Sequence, residues 1–105
     1  MQIGEDEVKL EFKDKGLSAF YILDSGERVA EMAVSVSGGS LTAYHTEVSP
    51  KMKGKGLAKK LLGSMEEYVR SKGLKVIPLC PFVHAQFKQH PDKFGDLWND
   101  NETEE

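Results

Sequence analysis

Residues 8 to 13 alternate strictly: Val8, Leu10 and Phe12 are apolar, Lys9, Glu11 and Lys13 charged. A period of two marks a half-buried β-strand. Asp14-Lys15-Gly16 reads as a turn, and residues 17–23 as a second strand closed by the turn Asp24-Ser25-Gly26. Residues 28–36 follow with Ala30, Met32, Val34 and Val36 on one face, and Ser37-Gly38-Gly39-Ser40 makes a third tight connection to a strand over 41–48. Three short connections in a row predict an antiparallel meander. The period then changes. Leu57, Ala58, Leu61, Leu62, Met65, Tyr68 and Val69 fall on one stripe of a helix over 57–72, with Lys59, Lys60, Glu66, Glu67 and Arg70 opposite. Gly73 stands where a left-handed helix stop belongs.

Residues 74–80 are almost continuously apolar, as in a strand buried on both faces. Strand 41–48, helix 57–72 and strand 74–80 form a right-handed crossover, so the last two strands should run parallel. Pro78 lacks an N–H, so pairing should fail on one side of that strand near its end. Residues 82–90 read as a short helix stopped before Pro91. Phe94, Leu97 and Trp98 suggest one more amphipathic turn, and Phe12, Phe20, Phe94 and Trp98 are expected in the core. The expected fold is α/β: a mainly antiparallel five-stranded mixed sheet with one parallel unit and helices packed on it.

With 105 residues, one domain is expected over 1–105, ending in a frayed acidic tail from about residue 99. Hydrophobic residues at 39% and charged residues at 30% are globular values. A net charge of −3 argues against a general nucleic-acid or anionic-membrane binder. No apolar run reaches spanning length, and the polar, acidic start is not a signal peptide. The single cysteine, Cys80, excludes an internal disulfide framework and an all-cysteine metal site. A cytoplasmic protein, monomeric or weakly homodimeric through a free edge of the fifth strand, is expected.

The segment from Val48 to Ala58 joins a strand to a helix start. Gly54 and Gly56 let the backbone bend and a ligand approach. The first N–H groups of the helix have no intrahelical partner and carry partial positive charge, which suits phosphate. Lys51, Lys53, Lys55, Lys59 and Lys60 concentrate cations there in a net-acidic chain. The alternative is a glycine turn with a solvated basic helix start. The spacing fits neither a Walker A loop nor a dinucleotide fingerprint. Contact of these lysines with RNA is not expected, because the preceding strands offer no clear stacking platform.

These residues resemble a known family. GNAT acetyltransferases carry Arg/Gln-x-x-Gly-x-Gly/Ala between their fourth strand and third helix, and Lys53-Gly54-Lys55-Gly56-Leu57-Ala58 fits with lysine in the first position. His45-Thr46-Glu47-Val48, Cys80-Pro81-Phe82 and His90-Pro91 further resemble a small GNAT-like subfamily of about this length. The resemblance covers residues 8–98. It implies that acetyl-CoA is the cosubstrate, that residues 53–58 hold its pyrophosphate, and that the pantetheine arm pairs with the strand around Glu47, Val48 and Ser49. It also implies that the arm enters a gap between the fourth and fifth strands. An N–H of the fourth strand would then polarise the thioester carbonyl.

The chain departs from the family in lacking the two helices that roof the acceptor site, two final strands, and the tyrosine that protonates the leaving thiolate. The nearest aromatic residue to that tyrosine is Phe87. An open site is therefore expected, with a large acceptor, such as a protein, or completion of the site by a partner subunit. Cys80 ends a strand before a helix and is a candidate nucleophile, the alternative being a small buried hydrophobe. His45 shares a strand face with Glu47 and is a candidate general base. His84, one turn beyond Cys80, is placed to reach the thiol. No metal is expected, since short ligand spacing is absent. The expected activity is acetyl transfer to an amine, the alternative being a non-catalytic acyl-CoA-binding module.

Overall fold

The computed structural model describes residues 7–13 and 16–99. The expected acidic tail and most of the Asp14–Gly16 turn lie outside them. Five strands, β1 (Val8–Glu11), β2 (Ser18–Asp24), β3 (Glu27–Ser37), β4 (Ser40–Val48) and β5 (Lys75–Pro78), form one sheet in the order β1-β2-β3-β4-β5. The first four are antiparallel neighbours, and β5 runs parallel to β4. Helix α1 (Leu57–Lys72) is the crossover, and α2 (Pro81–Gln89) and the single-turn α3 (Pro91–Phe94) follow β5.

The meander closes as the turn residues dictate. Ser25 and Gly26, and then Gly38 and Gly39, all have positive φ, the condition for two-residue hairpins that match strand twist. Helix α1 ends at Gly73, whose φ of 70° allows its own N–H and that of Leu74 to satisfy the last carbonyls. The stripe Leu57, Leu61, Leu62, Met65 and Val69 is buried against Phe20, Ile22, Met32, Val34, Leu41 and Ala43. Val83 and Phe87 of α2 and Phe94 of α3 join the same cluster, and the Phe87 and Phe94 rings stack at 4.7 Å. Alternate residues of the strands, among them Tyr21, Glu31, His45 and Glu47, point to the other face.

Several expectations need correction. Leu10 and Phe12 are not core: they are 39% and 56% exposed, because β1 is the terminal strand and α1 packs mainly over β2 to β4. Trp98 is half-buried rather than buried. Two irregularities also went unread: β3 gains a residue at Val29 opposite the Ile22–Leu23 step, and β4 gains one at Tyr44 opposite the Ala33–Val34 step.

The free edge expected on β5 is covered. Val76 donates to the Leu97 carbonyl at 2.7 Å and accepts from the Asn99 N–H at 2.8 Å, so the segment after α3 runs along its outer side. Alternation from Val76 puts the missing N–H of Pro78 on that same outer side. Proline therefore removes nothing from the β4 ladder.

Candidate active site

The site begins with the parting of two strands. Pairing of β4 with β5 runs from Ser40↔Lys75 to Ala43↔Pro78 and stops there, while β4 stays paired with β3 up to Val48. The extra residue at Tyr44 turns β4, and the chain after Pro78 leaves the sheet through Leu79, whose N–H bonds back to the Ile77 carbonyl. The N–H of Cys80 makes the last link, 2.8 Å to the Ala43 carbonyl.

Which groups β4 offers to that gap follows from its register. Ser49 N–H bonds to the Val29 carbonyl at 2.8 Å, and the pairs continue as Ala30↔Val48, Glu31↔Glu47, Met32↔Thr46 and Ala33↔His45. Antiparallel pairs alternate between bonded and non-bonded. Glu47 and His45 therefore use their backbone groups on β3, and Thr46 and Val48 turn theirs towards the gap.

The loop after β4 bonds the N–H groups of Met52, Lys53 and Lys55 internally and leads to further donors at its end. Pro50–Met52 forms a 3-10 turn, and Gly54 and Gly56 have φ of 81° and 74°. Gly56 caps α1 without a side-chain hydrogen bond, and the first turn contains no acidic residue. The first intrahelical bond is donated by Lys60 to Gly56. Leu57, Ala58 and Lys59 thus present N–H groups with no intrahelical acceptor. Lys53, Lys55 and Lys59 are exposed around them. Lys51 is not part of this rim: its ammonium bonds Glu27 at 2.8 Å, which raises its pKa and ties the loop to the β2–β3 hairpin.

Cys80 and His45 lie on opposite sides of β4. The Cys80 thiol is 1% exposed, at the N-terminus of α2, with its sulfur 3.3 Å from the Thr46 hydroxyl. Thr46 was missed in the sequence, although it shares the core-facing parity of Val48. His45 stands on the open face, with Nδ1 3.8 Å from the Glu47 carboxylate, and both side chains are well exposed. The His84 ring makes a T-shaped contact with Trp98 at 5.5 Å, and its backbone N–H donates to the Cys80 carbonyl at 2.9 Å. His90 joins α2 to α3 through its backbone, accepting from Lys93 and Phe94. Among the described residues, no three His, Cys, Asp or Glu side chains converge on a point. An open groove of about 430 Å³ runs beside the end of β4, lined by residues 28–31 and 47–50.

The fold and the sequence both match known proteins. A family model described as GCN5-related N-acetyl-transferase matches residues 19–97. A solution structure of a GCN5-like putative N-acetyltransferase from Staphylococcus aureus is 30% identical, covers 91% of this chain and 90% of its own, and superposes with a TM-score of 0.67. The ribosomal-protein-S18-alanine N-acetyltransferase of Escherichia coli is 18% identical over 63% of this chain and 43% of its own, with a TM-score of 0.57, and shares the fold. No curated protein matches the sequence. The chain belongs to the GCN5-related N-acetyltransferase family.

Proposed function

We propose that this protein binds acetyl-CoA and transfers the acetyl group to an amine of a large acceptor, such as a protein. One observation carries the reading: β4 leaves the backbone groups of Thr46 and Val48 unpaired, and the loop that follows it opens α1 with the N–H groups of Leu57 and Ala58 lacking intrahelical acceptors. A pantetheine amide pairs with such a strand edge as another strand would, and a diphosphate suits such a helix start. Residues Val48, Ser49, Lys53, Gly54, Lys55, Gly56, Leu57 and Ala58 form the cosubstrate site. The Thr46 N–H faces the thioester carbonyl and stabilises the oxyanion.

His45, oriented by Glu47, takes a proton from the acceptor ammonium. The amine attacks the carbonyl carbon, and as the tetrahedral adduct collapses the C–S bond breaks and the leaving thiolate of CoA takes up the proton that the nitrogen sheds. Cys80 lines the gap. Its sulfur is buried and hydrogen-bonded to the Thr46 hydroxyl, so direct transfer is the simpler route. The sheet face bearing His45 and Glu47 suits an acceptor too large for a closed pocket.

The test is release of free thiol from acetyl-CoA, with and without an amine or protein acceptor. Acceptor-dependent release that falls in His45→Ala supports the reading. Labelled acetyl retained on the denatured protein and lost in Cys80→Ala would move the chemistry to the thiol. A second reading, a non-catalytic acyl-CoA-binding module, is favoured by Phe87: fully buried against Phe94 and without a hydroxyl, it supplies no acid to the leaving thiolate. That reading expects thermal stabilisation by acetyl-CoA with no acceptor-dependent release.

A further inference from the structure

β1 is the outermost strand of the sheet, and no strand pairs with its outer edge among the described residues. Leu10 on it and Phe12 just beyond its end are exposed, although Val8 and Leu10 pair with Ile22 and Phe20 on the helix-covered side. Exposed apolar side chains on an unpaired edge invite another strand. Charges usually protect such an edge, yet here their order does the reverse.

Residues 7–13 read Glu-Val-Lys-Leu-Glu-Phe-Lys, with opposite charges related through Leu10. We propose that β1 pairs antiparallel with β1 of a second copy about a two-fold axis at Leu10. The pairing sets Glu7 opposite Lys13, Val8 opposite Phe12, Lys9 opposite Glu11, and Leu10 opposite itself. All charged pairs are then of opposite sign and lie on the open face, and all apolar pairs lie on the helix face. Centring the axis on Lys9 sets Glu7 against Glu11, and centring it on Glu11 sets Lys9 against Lys13. An axis between residues sets apolar side chains against charged ones. Axes on Val8 or Phe12 also oppose Glu to Lys but align fewer of residues 7–13, so the Leu10 axis alone satisfies both faces over the whole segment; like charges directly opposite destabilise a strand pair.

The other copy's Phe12 also has a place to go. A groove of about 360 Å³ between β1 and α1 has Val8, Leu10, Phe20 and Tyr68 in its lining beside Glu67 and Ser71, and Val8 is the residue that Phe12 meets across the axis. The two-fold keeps the helices of both copies on one side, so the sheet becomes ten-stranded and its open face doubles. A seam of this length buries less than a standard interface, so the association is weak and concentration-dependent.

Sedimentation equilibrium of the full chain over a wide concentration range tests this directly. A monomer–dimer equilibrium is expected, and Lys9→Glu should raise its dissociation constant at least roughly tenfold by setting Glu against Glu twice. The double variant K9E/E11K should restore the dimer, because the swapped charges are again complementary. Leu10→Cys should form a disulfide-linked dimer on oxidation, since the two side chains face each other across the axis, while buried Cys80 stays out of reach. A chain monomeric at every concentration, a dimer indifferent to K9E, or a double variant that stays monomeric while folded would each overturn the proposal.

Discussion

Gly56 and Gly73 cap the two ends of α1 and offer a matched pair of perturbations. Both are left-handed, at φ 74°, ψ 22° and φ 70°, ψ 31°. A Cβ added at either meets nothing within 4 Å. Alanine therefore costs only the left-handed conformation, about 1–2 kcal/mol, less the roughly 0.4–1 kcal/mol regained by stiffening the unfolded chain. Each variant should lose about 1 kcal/mol, or about 4–8 °C in Tm for a domain of this size. Their effects on ligand should differ. A Cβ at residue 56 stands beside the N–H groups that open α1 and keeps a diphosphate from closing on one of them, whereas Gly73 lies about 25 Å away along the helix.

Loss of one charge-assisted hydrogen bond, about 1.5–3 kcal/mol, weakens binding at least roughly tenfold. At a concentration of acetyl-CoA about 100 times the wild-type Kd, wild type and Gly73→Ala should gain about 2.7 kcal/mol, and Gly56→Ala about 1.4 kcal/mol or less. Thermal unfolding with and without acetyl-CoA reads both quantities. Equal ligand-induced shifts in the two variants would refute the placement of the diphosphate.

Phe87→Ala removes a fully buried ring stacked on Phe94 and edge-on to Trp98, and should cost about 3–5 kcal/mol in urea unfolding. The Cys80 thiol, closed against Thr46, should react with a disulfide reagent roughly a hundredfold more slowly in the native protein than in urea; reaction at the unfolded rate would contradict that contact. Asp96 accepts hydrogen bonds from Arg70 at 2.8 and 3.4 Å, which hold its carboxyl below the usual range. A depressed folded pKa contributes stability at neutral pH that is lost as pH falls through it. Asp96→Ala should therefore lower Tm at pH 7, and the gap to wild type should close as the medium becomes strongly acidic.

The parts of the fold that follow from local chemistry were legible. The meander rests on turns such as Gly38-Gly39, α1 on its stripe and Gly73, and the parallel crossover on handedness. The parting of β4 and β5 was also anticipated, but for the wrong reason. Pro78 points its missing N–H outward, and the cause is the extra residue at Tyr44, a feature no periodicity reports because it depends on pairing with β3. Phe12 shows the complementary limit: alternation gives the face a residue points to, not whether α1 extends far enough to cover it. The covered edge of β5 was illegible because Leu97 and Trp98 read equally well as a last amphipathic turn. His45 and Glu47 did share a face, since no irregularity falls between them.

The proposed site runs acetyl-CoA along the unpaired edge of β4 to the start of α1. Backbone amide NMR during titration with acetyl-CoA tests it residue by residue. The amides of Thr46, Val48, Gly54 and Gly56 through Lys59 should shift most and gain protection from solvent exchange, while those of β1 and β2 stay still. Saturable binding that moves the amides of β1 and β2 and leaves Thr46 and Val48 unchanged would contradict the account.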